Sequence, residues 1–317
     1  MIAVTLAARL LLLTAVGIFA QKSHIVGERF SADLTAFLMK IIIPVMIFHS
    51  IRSGPAFTGP ALRNCLWATV CGGVTMALSL GIGQLLYLRS GRTGMGRILR
   101  YSAVFTHYSF MGIPVMDTLF GQMGTLYYVF FMIPVRILYY ALSEPLMTPA
   151  ECRKGGRSAG QMLRGTLLNP ALVAVMLGFV FWFTGWKIPG VLDYCVSQIS
   201  SLCSPLGLML CGLILGRYEF RGLLSPRCLA APVLRLAVMP ALFLVITRGL
   251  VLAGVERLVC DMMLIYAALP VASLLPVYAK QYDPDPDNQF AAAGTCVVST
   301  LLSSVTVPLW YMLVQTL

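Results

Sequence analysis

Two prolines, Pro114 and Pro276, lie inside apolar stretches, and their positions differ by 162 in a chain of 317 residues. A proline has no amide hydrogen and keeps the preceding helical turn from closing. Backbone groups freed in this way at mid-membrane depth persist only where they line a cavity or bind a ligand. Paired interruptions in the two halves of a chain are the best sequence indication of a transporter's substrate site. We therefore predict helix breaks at Pro114 and Pro276 that meet near the membrane centre, where half-helix N-termini would suit an anionic group.

Two ionisable residues flank the first proline. His107 lies seven positions before Pro114, and Asp117 lies three positions after it. Ionisable groups inside membrane spans are costly and indicate function by default, so either side chain could carry a coupling proton. The alternatives are structural. His107 could bond to freed backbone groups, and Asp117 could form an ion pair with Arg136 or Arg235.

Three further polar features each permit two interpretations. Asn169 precedes Pro170, which suits a helix start, although the Asn169 amide could instead face a substrate. Arg235 lies in an apolar run, where it would extend to the membrane surface or bind lipid phosphate. The acidic run 283–287 could attract a cation, but it lacks the Gly and Glu of a calcium loop. We interpret it as a solvated turn that caps the last helix.

The composition indicates a membrane protein. Hydrophobic residues make up 58% of the chain and charged residues 11%, with a mean hydropathy of +0.84, whereas soluble domains carry about 25% charged residues. At about 20 residues per span, the chain accommodates ten spans and no long soluble domain. The apolar runs place the spans at about 3–20, 32–51, 62–88, 98–121, 123–147, 160–184, 190–215, 226–248, 258–281 and 288–316.

The net charge of +11 is distributed unevenly. Loops that follow odd-numbered spans carry thirteen basic residues, and loops on the opposite face carry five. The face richer in Lys and Arg is normally cytoplasmic, so both termini are predicted to lie outside. The charge therefore indicates topology and weak contact with anionic lipid, and no nucleic-acid partner is expected.

The sequence carries no motif for enzymatic chemistry. Its nine cysteines form no CxxC pair and no cluster with histidine, so neither a metal site nor a disulfide framework is predicted. It contains no Walker loop, no GxSxG motif and no Ser/His/Asp order. We expect neither an enzyme nor a cofactor.

Prolines also indicate an internal repeat, because three pairs recur at offsets of 161, 162 and 163. The pairs are Pro44 with Pro205, Pro114 with Pro276, and Pro145 with Pro308. A basic, Gly-containing segment lies between the first and the second proline of each pair, so we predict repeats at 1–150 and 151–317. Five spans per repeat invert the second repeat relative to the first. The predicted fold is an all-α polytopic membrane protein with ten transmembrane helices in two inverted five-helix repeats, in which the broken helices 4 and 9 cross.

Five segments resemble the auxin efflux carrier family, which includes bacterial transporters and the plant PIN-type carriers. They read IIIPVMIFHSI, FMGIPVMDTLFG, LLNPALVAVMLG, LRLAVMPAL and ALPVASLLPVYAKQYD, and they follow the family's order over nearly the whole chain. The resemblance implies a scaffold part and a transporter part, each drawn from both repeats. It also implies a substrate site where helices 4 and 9 cross.

The resemblance further implies roles for single residues. Pro114 corresponds to the crossover proline of the fourth helix, and His107 stands where the PIN-type carriers have asparagine. Asn169 corresponds to a carboxylate contact of those carriers, and Ile43 to the hydrophobic residue before the proline of the second helix. Because His107 replaces asparagine and no aromatic-rich auxin motif is present, auxin itself is not the expected substrate.

At the ninth helix the family pattern aligns its proline with Leu275, whereas the internal repeat favours Pro276. The predicted substrate-binding residues are Ile43, His107, Gly112, Ile113, Pro114, Asn169, Ser273, Leu275 and Pro276. Asp117 or His107 would serve ion or proton coupling, and no metal ligand is predicted.

These features predict a secondary transporter of the efflux-carrier type for a small organic anion, such as a carboxylate or an amino-acid-like compound, with an elevator mechanism. Coupling to protons, to sodium or to no ion stays open. The alternatives are a sodium-coupled bile-acid-type symporter, an ion channel and a non-transporting membrane receptor. The predicted setting is the bacterial inner membrane, with the anionic substrate and membrane lipid as partners and a homodimer as an option.

Overall fold

The protein is all-helical in the computed structural model, which describes residues 2–27, 29–54, 59–149, 170–217 and 225–316. These residues form eleven helices. In chain order they are α1 (Ile2–Lys22), α2 (Phe30–Arg52), α3 (Gly59–Arg89), α4 (Gly94–Val104), α5 (Tyr108–Met147), α6 (Pro170–Thr184), α7 (Gly190–Leu215), α8 (Pro226–Leu252), α9 (Arg257–Ala267), α10 (Leu275–Tyr282) and α11 (Pro286–Thr316).

Six of these helices, α2, α3, α5, α7, α8 and α11, are long and apolar enough to cross a membrane. A helix pairs its backbone groups internally, which is the condition for spanning lipid. The prediction of an all-α polytopic membrane protein is therefore confirmed. The predicted spans 98–121 and 258–281 are each divided, the first between α4 and α5 and the second between α9 and α10. The start of predicted span 160–184, including Asn169, lies outside the described residues.

Helix α5 contains the second part of predicted span 98–121 and all of predicted span 123–147 in one segment of 40 residues. Its direction changes at Gly121, whose φ of 61° and ψ of −156° are incompatible with a helix. Essentially only glycine adopts this combination of angles without strain. Gly121 therefore forms the turn between the predicted fourth and fifth spans.

In the described part of the chain three helices contain a π-turn, and each of these π-turns ends two residues before a proline. The turns are Leu38–Ile42 before Pro44, Tyr108–Gly112 before Pro114, and Leu234–Val238 before Pro240. A proline ring clashes with the carbonyl four residues earlier, and a wider turn at that point relieves the clash and lets the helix continue. The prediction that Pro114 itself breaks the fourth helix is therefore wrong, because α5 runs through it.

The most extensive helix contacts divide the protein into two groups. In the first group α1 packs along α7, and α2 packs along α6 and α7; in the second group α3 packs on α4 and α5, and α8 packs on α9 and α11. Small residues permit this close packing inside membranes. A Cβ atom on Gly17 would lie 2.1 Å from the carbonyl oxygen of Met209, and one on Gly212 would lie 2.0 Å from that of Thr14. Glycine is therefore required on both sides of the α1–α7 contact.

The neighbouring glycines Gly72 and Gly73 of α3 give a test of the second group. A Cβ atom on Gly72 would lie 2.1 Å from the carbonyl oxygen of Phe131 in α5, whereas one on Gly73 meets no atom within 4 Å. We expect Gly72→Ala to lower the free energy of unfolding by about 1–3 kcal/mol, the usual cost of overpacking, and Gly73→Ala to leave it unchanged. Thermal unfolding of both variants in one detergent measures the difference. Equal midpoints would contradict the close approach of α3 and α5.

Candidate transport site

The two broken spans meet at an antiparallel bridge between Thr106 and Val271. The backbone amide of His107 donates to the carbonyl of Pro270 at 2.8 Å, and the amide of Ala272 donates to the carbonyl of Phe105 at 3.2 Å. Backbone groups that would otherwise be unpaired within lipid are satisfied in this way. The two chain breaks are thus held against each other as a crossing.

The breaks lie upstream of the residues predicted from the sequence. The first covers the three residues between Val104 and Tyr108, and the second covers the seven residues between Ala267 and Leu275. Pro276 occupies the first turn of α10, where a missing amide costs nothing. Placing the ninth-helix crossing at Leu275 or Pro276 is therefore wrong, because the bridge forms at residue 271.

Arg235 of α8 holds both broken spans at the crossing. Its side chain is 1% exposed and donates to three carbonyls, those of Ala103 at 2.8 Å, Tyr266 at 3.2 Å and Leu269 at 3.2 Å. Ala103 lies in the last turn of α4 and Tyr266 in the last turn of α9. Helix C-termini carry unpaired carbonyls and partial negative charge, so one guanidinium compensates two helix ends. The prediction that Arg235 reaches the membrane surface or lipid is wrong.

Two helices begin immediately beyond the crossing. α5 begins at Tyr108, directly after His107, and α10 begins at Leu275, three residues after Ala272. The first amides of a helix have no acceptor within it, and its N-terminus carries partial positive charge. The crossing therefore lies beside two positive helix ends, an arrangement that suits anions.

A small cavity of about 20 Å³ adjoins the crossing. Its lining includes His107, Cys211, Ser273, Pro276 and Thr300. His107 is buried, and its Nε2 atom lies 3.8 Å from the Cys211 Sγ atom. The volume admits about one water molecule, so a carboxylate requires movement of the walls. Three predicted site residues, His107, Ser273 and Pro276, are brought together here.

A larger, polar cavity of about 260 Å³ lies between α2, α5 and α7. Its lining includes His49 and Ser50 of α2, the predicted site residues Ile113, Pro114 and Asp117 of α5, and the α7 hydroxyls of Ser197, Ser200, Ser201 and Ser204.

Asp117 forms no ion pair with the arginines proposed from the sequence. Its carboxylate accepts a hydrogen bond from Thr125 at 3.3 Å. Among the described residues it pairs with neither Arg136 nor Arg235, so the predicted ion pair is wrong.

The remaining predicted residues occupy supporting positions. Ile43 and Leu275 are buried, and Asn169 lies outside the described residues. A Cβ atom on Gly112 would lie 2.3 Å from the Tyr128 hydroxyl, which donates to the backbone of Tyr108. Gly112 therefore makes room for a contact that supports the crossing.

A family described as "Membrane transport protein" matches the chain twice, over residues 2–155 and 156–311. The chain belongs to this family. The match confirms the resemblance to the auxin efflux carriers and, with the apolar helices, shows a multi-pass membrane transporter. No curated protein matches the chain. The exact halves 1–150 and 151–317 and their inverted relation stay a prediction.

One acidic run of this membrane transport protein differs from its prediction. Asp283 is buried, pairs with Arg97 at 2.9 Å, and accepts a hydrogen bond from the backbone amide of Asp285. Arg97 lies in α4, whereas Asp283 follows α10, so the pair joins the outer ends of the two broken spans. The interpretation as a solvated turn is wrong for Asp283, although Asp287 is exposed.

Part of this transporter's site was not among the residues predicted from the sequence. The four α7 serines that line the larger cavity are spaced like one face of a helix, and that spacing was an available signal. The carbonyl partners of Arg235 had no such signal, because they lie in helices distant in sequence. Among the described residues no group of three or more His, Cys, Asp or Glu side chains could hold a metal.

Proposed function

We propose that the protein is a secondary transporter of a small organic anion, a carboxylate or an amino-acid-like compound, in the bacterial inner membrane with both termini outside. The observation that carries this proposal is the bridge between residues 106 and 271. It holds two positive helix starts beside one crossing inside an apolar bundle. An anion there would meet the first amides of both helices, which have no acceptor within the helix.

The proposed mechanism is of the elevator type, in which the group around the crossing slides against the other group. Helices α1, α2, α6 and α7 would form the scaffold part, and the remaining helices the transporter part. Inverted repeats are supported by matching contacts, since α1 packs on α7 as α6 packs on α2, and α3 packs on α5 as α8 packs on α11. The larger cavity lies between the two groups and would admit the substrate.

The test is flux through proteoliposomes that contain the purified protein. Radiolabelled succinate, L-glutamate, lactate and benzoate serve as probes, and each is measured as uptake and as exchange with an unlabelled internal pool. We expect saturable uptake of at least one probe, accelerated by the internal pool. Protein-free liposomes and liposomes with heat-denatured protein are the controls.

Other outcomes identify the rival functions. Conductance far above carrier turnover without exchange would indicate a channel, and binding to impermeable proteoliposomes would indicate a receptor. Uptake of a steroid acid that requires sodium would indicate a bile-acid-type symporter. Each result would replace the proposed function.

His107 can be tested as a proton carrier. Its backbone amide, not its side chain, makes the crossing bond to Pro270, and its carbonyl accepts from the Gly112 amide, so we expect His107→Asn to fold normally. If the imidazole carries the coupling proton, the variant loses the pH dependence of uptake that the wild type shows. His24→Asn is the matched control, because His24 is exposed and its φ of 54° is tolerated by asparagine. An unchanged pH profile would assign His107 to packing.

A further inference from the structure

Among the residues that the structure describes, no acceptor contacts Arg136, a buried cation of α5. Its side chain is 6% exposed. Within the part of the chain that the structure describes, it has no hydrogen bond and no ion pair, and its guanidinium carbon lies 6.0 Å from the centre of the Tyr108 ring. An unpaired charge inside a membrane protein is costly and normally serves function.

The other buried arginines, Arg235 and Arg100, have acceptors for their guanidinium groups. Arg235 donates to three backbone carbonyls. Arg100 donates to the Leu146 carbonyl and lies 4.0 Å above the Tyr87 ring. Among the described residues Arg136 has no such acceptors, and 6% of its surface stays exposed. A ligand that reaches this surface would meet guanidinium donors without a partner.

Two other positive groups, Arg235 and the N-terminus of α5, lie in the neighbourhood of Arg136. The Tyr128 hydroxyl lies within electrostatic range of both Arg136 and Arg235, and Tyr108 is the first residue of α5, at its positive end. The Cys203 thiol, which lines the larger cavity, lies within range of both Arg136 and Asp117. Asp117 bonds to Thr125 and not to Arg136, so the Arg136 charge has no counter-ion in the described part of the chain.

We propose that the Arg136 guanidinium binds the carboxylate of the transported anion after it enters through the polar cavity between α2, α5 and α7. This inference rests on the proposed function and names the residue that recognises the substrate. A planar guanidinium holds a carboxylate through two parallel hydrogen bonds. The α7 hydroxyls are available for the remaining polar groups of the substrate. Arg136 thus supplies a full positive charge, whereas the helix ends at the crossing carry only partial positive charge.

The test combines stability with binding. Arg136→Gln and Arg136→Lys are compared with Arg227→Gln, a control that removes an exposed arginine paired with Asp287. Without added anion, we expect Arg136→Gln to unfold at the same temperature as the wild type or higher, because an uncompensated buried charge is removed. A structural arginine would instead lower that temperature.

Binding is then measured as thermal stabilisation by succinate, L-glutamate, lactate, benzoate and inorganic phosphate. We expect at least one carboxylate to stabilise the wild type and Arg227→Gln. Its apparent affinity falls at least tenfold in Arg136→Lys, and the stabilisation is absent in Arg136→Gln. Stabilisation by phosphate alone would overturn the assignment to a carboxylate.

The failure of this inference is distinguishable from failure of the proposed function. Equal binding and flux in wild type and Arg136→Gln would remove Arg136 from recognition while carboxylate transport stands. A wild type that neither binds nor moves any carboxylate would overturn the proposed function and this inference with it. Phenylglyoxal labelling gives a readout independent of transport, since Arg136 should react and a bound carboxylate should protect it. An unreactive Arg136 in the wild type would overturn its access to ligand.

Discussion

Arg235→Met is expected to destabilise the protein by about 3 kcal/mol or more, because three buried carbonyls lose their donor at about 1–3 kcal/mol each. The loss falls on the C-termini of both α4 and α9, so the crossing itself should come apart. We expect transport to be abolished in the fraction that stays folded. Thermal unfolding in detergent, followed by flux per folded molecule, measures the two effects.

Two variants separate this role from a general effect of charge. Arg235→Lys keeps the charge but not the planar set of donors, so an intermediate loss is expected. Arg227→Met removes an exposed pair with Asp287 and should cost about 1 kcal/mol or less. If Arg235→Met unfolded like the wild type, the guanidinium would not hold the two helix ends.

Gly207→Ala is expected to lower the transport rate about tenfold or more, a factor that corresponds to about 1.4 kcal/mol. A Cβ atom at this position would lie 2.7 Å from the carbonyl oxygen of Phe110. Pro114, four residues later, has no amide to donate to that carbonyl. Overpacking costs about 1–3 kcal/mol. In this variant it would destabilise the contact between α7 and the half-helix beyond the crossing. The two groups of an elevator would slide across this contact.

Gly249→Ala is the matched control, because a Cβ atom on this α8 glycine meets no atom within 4 Å. Initial uptake rates, corrected for the amount of folded protein, measure the effect, and the unfolding temperature separates slow transport from poor folding. Normal uptake by Gly207→Ala would show that α7 and α5 need not slide closely past each other.

The membrane spans could be predicted because lipid leaves the backbone few alternatives. The predicted spans 62–88 and 190–215 correspond to α3 (Gly59–Arg89) and α7 (Gly190–Leu215). Each of these apolar segments is long enough to require a helix, whichever helices pack against it. The family resemblance rested on short segments in a fixed order, and the match over both halves confirmed it.

The positions of the breaks could not be predicted in the same way. The first break contains Phe105, Thr106 and His107, with neither glycine nor proline, so no local signal marks it. It depends on the bridge to residues 270–272 and on Arg235. Pro114 carried a local signal for a helix break. The π-turn before it relieves the clash of the proline ring, so the helix continues through this residue.

By itself, the amino-acid order determined that the chain is helical, crosses the membrane several times, and carries paired irregularities in its fourth and ninth spans. These properties follow from hydrophobic length and from the chemistry of single residues. Only the tertiary structure decided where the spans break and which helix ends Arg235 compensates. It also decided that Arg136 and Asp117 do not form an ion pair. Those outcomes depend on contacts between residues far apart in the chain, and such contacts select one partner among several that are chemically equivalent in the sequence.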